Sequence, residues 1–440
     1  MPSPDQLRIL TLIFFFLFLL LGVGRPVYAV SAYMILVYCK MSEYYPFLTQ
    51  IRAEALFAAL ILLRVAATGN LQKNLRFTSS KINKYLYYLV LCVALSFIFA
   101  WDHQYSWDMA VYHFIKTLIL YILIVGVISD IKDVKVFVWT FLLMFLYLAY
   151  EPMYGFMTGS SGQQQMYGTN YIGEVGLLSG HVALANNMNQ MLPLAWFIFL
   201  GNKNKWSRIA SGACFFVYLL ALVGSGSRGG VVGMVVWGGL IVWFSKERGK
   251  MIALMLPILV ILLITQGSSI IHTAGRIDSR STEGRLTGLS HGVGMLTRGN
   301  LVGVGPGCYL FARGKYFSYR MESHNIYGQI IGDLGLPGML TTFLLMYSIL
   351  KKISEIKRRL VGAGVQEIFL VNLMTGVQVS LITRLFISMA SHGLYFFYWY
   401  VMAAIVVTTS RLVDEQIMAN TEEEEKKPRF FGGRSAIPEK

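Results

Sequence analysis

The stretch ILTLIFFFLFLLL at residues 9–21 carries no charge and is apolar apart from one threonine. Further apolar runs follow it along the chain, at about 27–39, 53–67, 85–100, 112–128, 134–150, 183–200, 208–224, 229–245, 250–266, 332–350, 366–388 and 390–409. A helix needs roughly 20 apolar residues to cross the hydrocarbon core of a bilayer. The sequence therefore predicts an all-α fold, a polytopic helical membrane protein with about 12 or 13 transmembrane helices.

The composition agrees with this fold class. Of the 440 residues, 55% are hydrophobic and only 14% are charged, whereas about 25% of the residues in an average soluble protein are charged. A soluble enzyme is excluded, and the lipid bilayer is an expected partner, with no nucleic acid. The formal net charge of +15 still needs an explanation in so apolar a chain.

Lysine and arginine collect in four short loops, at 68–84, 201–208, 246–250 and 351–359. Short cytoplasmic loops hold an excess of these residues, so the four loops are predicted to face the cytoplasm. The connections between them, including 267–324, then face outward. Residues 1–40 leave the number of spans at the N-terminus open, as one or two.

This reading divides the chain into five parts. We expect an N-terminal transmembrane bundle at 1–150, a central transmembrane segment at 151–266, a long outer loop at 267–324, C-terminal transmembrane helices at 325–410 and a disordered cytoplasmic tail at 411–440.

The loop 267–324 is basic on the outer side, with seven arginines and lysines against three acidic residues. It is either a solvated loop or a receptor for an anionic ligand, because guanidinium groups match phosphate geometry. Leu286, Leu289, Val293 and Leu296 recur at helical spacing, which predicts an amphipathic helix over 283–297, on the membrane or across the bundle. Arg285 would lie in its first turn. The GVGPG run at 303–307 is interpreted as a turn.

Two motifs lie where predicted spans meet the outer face. In SGSRGG at 225–230, Ser227 and Arg228 precede a helix N-terminus, which favours anions. In SHNIYGQIIGDLGLPG at 323–338, we expect Ser323 to cap the next helix and His324 and Asn325 to lie in its first turn. Histidine titrates near neutral pH and is a suitable general base, with Asn325 orienting its ring or the acceptor. A structural role for either motif is the alternative.

Other candidates are weaker. His181 opens the segment GHVALANNMNQMLPL at 180–194, where Asn187 and its neighbours either line a sugar cavity or hydrogen-bond to adjacent helices. Arg384 and Lys116 are intramembrane cations and therefore functional candidates. Asp102 and Asp108 are a weak signal for a metal-dependent oligosaccharyltransferase.

Taken in order, these features resemble the O-antigen ligase and O-antigen polymerase family. The resemblance rests on Ser227, Arg228 and Gly229, on Ser281 to Arg285 followed by GVGPG, and on His324, Asn325, Tyr327, Gln329, Gly335 and Gly338. It covers roughly residues 180–345. Asp333 stands where the family commonly has glutamate. GRPVYAV at 24–30 is similar to the exosortase-associated subgroup of O-glycosylation ligases.

The resemblance implies a GT-C-like glycosyltransferase of the bacterial inner membrane, with its active site facing the periplasm. The implied reaction is an inverting transfer without metal or other cofactor, from a glycan on undecaprenyl diphosphate to a hydroxyl of a glycan, lipid A core or protein acceptor. Arg228 and Arg285 would bind the diphosphate and His324 would act as the base. The further substrate-binding candidates are Ser227, Asn325, Tyr327, Gln329, Arg276, His181 and Asn187.

A transporter of lipid-linked glycans or anions is the alternative. It would use the same basic residues without forming a bond. The sequence shows no internal repeat of the kind found in many transporters, and its chemical groups collect on one face, which favours the transferase.

Overall fold

The computed structural model describes residues 4–67, 80–158, 181–245, 279–362 and 367–426, with short stretches at 75, 164–166, 169–171, 247–253, 255–257 and 260. The described α-helices are α1 (Pro4–Gly24), α2 (Pro26–Tyr38), α3 (Met41–Tyr44), α4 (Pro46–Gln50), α5 (Ala53–Ala67), α6 (Lys81–Ile98), α7 (His103–Trp107), α8 (Lys116–Val127), α9 (Ile131–Thr158), α10 (His181–Gly201), α11 (Lys205–Gly224), α12 (Arg228–Phe244), α13 (Ser279–Thr297), α14 (Tyr309–Phe317), α15 (Ile326–Gly362), α16 (Ile368–Ile387) and α17 (Phe397–Lys426). A π-helix (Asp108–Ile115) joins α7 to α8, and a 3₁₀ turn (Ser388–Ala390) follows α16. The described residues also include two short antiparallel strands, β1 (Gln164–Met166) and β2 (Thr169–Tyr171).

The prediction of a polytopic helical membrane protein is confirmed. Within the described residues, six helical segments are long and apolar enough to cross a membrane. Each predicted span overlaps a helix, except 250–266, most of which lies outside the described residues; the predicted span 390–409 is α-helical only from Phe397. Residues 4–38 form two separate helices that meet at Arg25, and α1 packs against α2 where Gly22 lies next to Ala29.

Helix α10 forms the centre of the part that holds the candidate site. Its residues Leu184 and Ala185 and most of those up to Ile198 are buried, because α11, α12 and α16 pack around it. The Ser380 hydroxyl of α16 donates to the carbonyl of Gln190 over 2.7 Å. Polar contacts of this kind tie membrane helices to one another.

Helix α15, which is long and apolar enough to cross a membrane, is broken at Gly335. Gly335 has φ +65°, in the left-handed region that favours glycine. The GVGPG turn lies against this break: the Val304 amide donates to the Gly332 carbonyl over 2.9 Å, and the Leu336 amide to Leu301 over 2.9 Å. Interrupted helices are tolerated in a bilayer when neighbouring protein groups satisfy the freed backbone. The predicted turn at 303–307 therefore supports the helix that follows the histidine motif.

The expectation of a disordered tail from residue 411 is wrong for its first part. Helix α17 continues to Lys426. Arg411 donates to the Val125 carbonyl over 3.2 Å and also to that of Ile128, and Asp414 forms an ion pair with Arg359. These contacts hold the helix to the bundle beyond its apolar part. Residues 427–440 lie outside the described residues.

Candidate active site

A cavity of about 310 Å³ opens between α10, α16 and the residues that flank α15 and α17. Its polar lining consists of Asn186, Asn187, His324, Arg384, Ser391 and His392, and its apolar lining includes Phe145, Phe397 and Tyr398. No acidic side chain contributes to this wall among the described residues. The lining therefore combines one guanidinium, two imidazoles and two amides, a set suited to an anion or to sugar hydroxyls.

His324 precedes helix α15 and does not lie in its first turn, so the expected placement is wrong. The helix begins at Ile326 because the cap is Asn325, whose Oδ1 accepts from the amides of Tyr327 and Gly328 over 3.0 and 3.1 Å. His324 has φ +45°. A non-glycine residue in this region is strained, and such residues concentrate at functional sites.

The predicted substrate-binding residues Asn325, Tyr327 and Gln329 hold the segment that closes the cavity. Asn325 Nδ2 donates to the Met389 carbonyl over 3.0 Å, and the Tyr327 hydroxyl donates to that of Leu385 over 2.9 Å. Gln329 Oε1 accepts from the amides of Gly393 and Leu394 over 3.0 and 3.4 Å. Their side chains thus tie residues 385–394 to α15, and none of the three lines the cavity.

Residues 385–394 include a second histidine, His392, which lies close to His324. The ring centroids of His324 and His392 lie 5.3 Å apart. Burial, together with the positive charges of the nearby His324 and Arg384, lowers the pKa of His392 to about 4. His392 is therefore neutral at physiological pH.

Arg384 projects into the same cavity from α16 and is 3% exposed. Its guanidinium carbon lies 4.1 Å from the centre of the Tyr398 ring and 5.9 Å from that of Trp399. These distances fit cation–π contacts. Its Nε and Nη1 atoms are buried without a hydrogen-bond partner among the described residues.

The asparagines of α10 serve both roles that the sequence left open. Asn186 and Asn187 line the cavity. Asn189 instead joins α10 to α12, since its Nδ2 donates to the Gly230 carbonyl over 2.9 Å and its Oδ1 accepts from Trp237 Nε1 over 3.0 Å. The side chain of His181, at the first position of α10, lies outside the described residues.

The SRGG turn opens α12 close to this cavity. Ser227 caps the helix, because its Oγ accepts from the Gly230 amide over 3.3 Å. A Cβ added to Gly230 would lie 3.0 Å from the Cβ of Ala185, next to the cavity-lining Asn186. The N-terminus of α12, which begins with Arg228, thus packs against α10 at a residue that adjoins the cavity wall in the sequence. The Arg228 side chain lies outside the described residues.

The predicted helix at 283–297 is confirmed as part of α13. Gly288 and Gly292 face α15: a Cβ on Gly292 would lie 2.5 Å from the Gly328 carbonyl oxygen. Leu286 and Val293 are exposed, at 68% and 42%. The helix therefore packs through glycines and leaves part of its apolar stripe uncovered. The Arg285 side chain and the whole of Arg276 lie outside the described residues.

One of the outer-loop arginines has a structural role that the sequence did not suggest. Arg313 is fully buried. Its Nε donates to His291 Nδ1 over 3.0 Å and its Nη1 to the Glu322 carbonyl over 2.9 Å. Arg313 is therefore neither solvated nor free for a ligand. Asp102, the weak metal candidate, caps α7 by accepting from the Tyr105 amide over 2.9 Å.

The sequence indicated Arg384 only as an intramembrane cation, and it did not indicate His392 as a site residue. His392 carries a topological signal, because two helices, α15 and α16, separate it from His324 and an even number of crossings returns the chain to the same face. A histidine in a short loop gives no further local pattern.

Residues 213–343 match the family model described as O-antigen ligase. This part of the chain is similar to the O-antigen ligase family. This range includes the SRGG turn, α13, the GVGPG turn and the histidine motif, so the resemblance inferred from those residues is confirmed over the range. It indicates a glycan-transferring ligase or polymerase with glycan and lipid-linked substrates in a membrane. No curated protein matches the chain. The match does not reach GRPVYAV at 24–30, and the exosortase-associated subgroup stays a prediction.

Proposed function

We propose that the protein is an inverting, metal-independent glycosyltransferase that moves a glycan from undecaprenyl diphosphate to an acceptor hydroxyl. The proposed location is the bacterial inner membrane, with the cavity open to the periplasm. The supporting observation is the cavity lined by His324, a residue of the segment that matches the O-antigen ligase family model. The basic loops at the opposite ends of the helices support this orientation through the positive-inside rule.

In the proposed reaction, the acceptor hydroxyl oxygen attacks the anomeric carbon of the donor sugar. The bond between that carbon and the diphosphate oxygen breaks, and the electron pair leaves with the diphosphate. His324 takes the hydroxyl proton as general base. Arg228 and Arg285 offset the charge that develops on the diphosphate.

The deciding experiment uses purified protein in lipid vesicles with a lipid-linked glycan donor and candidate acceptors. We expect release of free undecaprenyl diphosphate together with a new glycosidic bond, with and without a chelator. The His324→Ala variant should release none while remaining inserted in the membrane.

Other outcomes are equally informative. Movement of donor across the membrane without bond formation would favour the transporter. Loss of activity with the chelator would favour a metal-dependent mechanism. Full activity of His324→Ala would remove the histidine from the role of base. Comparing glycans, lipid A core and protein as acceptors identifies which molecule gains mass.

A further inference from the structure

We propose that Arg384 binds a phosphate group of the lipid-linked donor beside His324, an inference that rests on the proposed function. The resemblance assigns diphosphate binding to Arg228 and Arg285 alone. Arg384 adds a third cation, supplied by α16, a helix outside the matched family range.

The first argument is the cost of this arginine without a ligand. Arg384 is 3% exposed, and its Nε and Nη1 find no hydrogen-bond acceptor in the described part of the chain. A buried charge is expensive unless it is paired and hydrogen-bonded. Arg411, by contrast, donates to the carbonyl oxygens of Val125 and Ile128. A site that keeps a buried guanidinium unpaired is suited to an anion supplied from outside the chain.

The second argument is the geometry of the guanidinium. Tyr398 lies against it, with its ring centre 4.1 Å from the guanidinium carbon. A contact of this kind restrains the guanidinium, and Arg384 also lines the cavity. The N–H groups of a guanidinium match the oxygens of a phosphate and can bind them through two parallel hydrogen bonds.

The third argument is the chemistry of the surrounding wall. Asn186, Asn187, Ser391 and the two histidines provide further donors, and no carboxylate of the described residues competes for the cation in this cavity. A diphosphate carries more charge and more acceptor oxygens than a carboxylate. The wall therefore favours a phosphate-bearing group over a singly charged sugar acid.

The fourth argument is an apolar groove that is lined by the chain neighbours of two cavity residues. It has a volume of about 530 Å³ and is lined by Ile330, Phe343, Met346, Leu385 and Trp399, among others. Leu385 and Trp399 directly follow the cavity residues Arg384 and Tyr398. An amphiphile with a phosphate head and an isoprenoid tail has the matching distribution of polar and apolar parts.

The test measures binding alone, with no acceptor present. The protein is placed in lipid nanodiscs and titrated with farnesyl diphosphate, with farnesol and with inorganic pyrophosphate. Arg384→Met is compared with wild type and with Arg411→Met, which makes the same change in charge and size at an arginine that has backbone partners. We expect Arg384→Met to weaken farnesyl diphosphate binding about 10- to 100-fold, since charge-assisted hydrogen bonds are lost. Farnesol binding should be unchanged, and Arg411→Met should bind as wild type does.

Thermal unfolding without ligand separates this role from a structural one. An unpaired buried charge carries a desolvation cost that an apolar side chain of similar volume does not carry. Arg384→Met should therefore unfold at the wild-type temperature or above, whereas Arg411→Met should unfold at a lower temperature. A lowered unfolding temperature for Arg384→Met together with wild-type affinity would overturn the inference. If Arg384→Met does not fold, Arg384→Lys decides, because it keeps the charge and loses the fork: wild-type affinity in that variant overturns the proposal as well.

Two further arms identify the source of the phosphate. Competition by pyrophosphate supports a site for the diphosphate head. Equal competition by phosphatidylglycerol in the nanodisc would assign the site to membrane phospholipid and overturn the assignment to the donor. If wild-type protein binds the diphosphate through Arg384 but forms no glycosidic bond with any acceptor, the proposed function fails and the binding assignment remains.

Discussion

The imidazole rings of His324 and His392 lie 5.3 Å apart, although the two long helices α15 and α16 separate them in the sequence. Three side chains of the histidine motif create this arrangement by binding the backbone of residues 385–394. The motif therefore has two functions in the structure. It contains His324, and it fixes residues 385–394, which include His392 and the C-terminal end of α16, the helix that contains Arg384.

The lowered pKa of His392 predicts a dependence of stability on pH. In the folded protein this pKa is about 4, against 6.5 for an unperturbed histidine. Between these values the unfolded chain binds more protons than the folded protein does. The contribution of neutral His392 to stability is therefore fully present above about pH 6.5 and is lost as the pH falls toward 4. The loss approaches about 1.4 kcal/mol per pH unit. His392→Gln should remove this part of the slope in thermal unfolding measured across that range.

His103→Gln is the matched control for this change, since His103 is exposed. It should leave the slope as in wild type. A His392→Gln variant with an unchanged slope would contradict the assigned pKa.

The raised pKa of Glu322 predicts a dependence of stability on pH that has the opposite sign. Burial raises the pKa of Glu322 to about 7 from 4.5. The folded protein then binds more protons than the unfolded chain between these values, so stability rises as the pH falls from about 7 to 4.5. Glu322→Gln should abolish this rise and stabilise the protein above pH 7, as measured by thermal unfolding. A variant that is less stable than wild type at high pH would show that the charged form is the favoured one.

Gln329 anchors residues 393 and 394 beside the cavity, and the loss of this anchor should be measurable. Gln329→Leu removes the acceptor of two buried amides, those of Gly393 and Leu394. Leaving buried donors unsatisfied costs about 1–3 kcal/mol, so the unfolding temperature should fall and glycan transfer should fall with it. Tyr327→Phe removes one bond from a side chain that is 37% exposed and should cost less. Equal effects of the two variants would argue against a special role for Gln329.

Much of the fold could be predicted from the sequence because membrane helices are set by length and apolarity, which are local properties. The turn at 303–307 and the helix at 283–297 were likewise visible in glycine placement and leucine spacing. The start of α15 was not, because Ser323 and Asn325 are both good caps and only the folded backbone selects Asn325.

The candidate site was predicted only in the part that has a local motif. His324 and Asn187 line the cavity as the sequence suggested. Arg313 shows the limit of the charge argument: it raised the basic charge of the loop, yet it is buried and bound to His291 and the Glu322 carbonyl. His392 entered the site through tertiary packing of two helices, which no local pattern encodes.

Gly288 has no side chain, and this allows α13 to pack closely against the histidine motif. A Cβ at this position would lie 2.0 Å from the carbonyl oxygen of Ser323, the residue before His324. Gly288→Ala must therefore displace α13 or the His324 backbone, and overpacking of this kind costs about 1–3 kcal/mol. We expect a lower unfolding temperature and reduced glycan transfer. Ser290→Ala, on the exposed side of the same helix, should preserve both; if Gly288→Ala behaves like it, the packing described here is wrong.

Arg228 gives the most direct test of the anion site at the start of α12. Ser227 caps this helix, and Gly230 packs against Ala185 of α10. An arginine at this position would add a guanidinium fork to the helix dipole. Arg228→Ala should reduce glycan transfer in reconstituted vesicles by roughly 100-fold or more. Arg228→Lys should also reduce it, because a point charge does not reproduce two parallel hydrogen bonds. Arg208→Lys, at an exposed arginine in the loop predicted to face the cytoplasm, is the control and should transfer glycan at the wild-type rate. If Arg228→Lys also transfers at that rate, Arg228 acts only as a positive charge, and the forked contact to the diphosphate must come from another arginine.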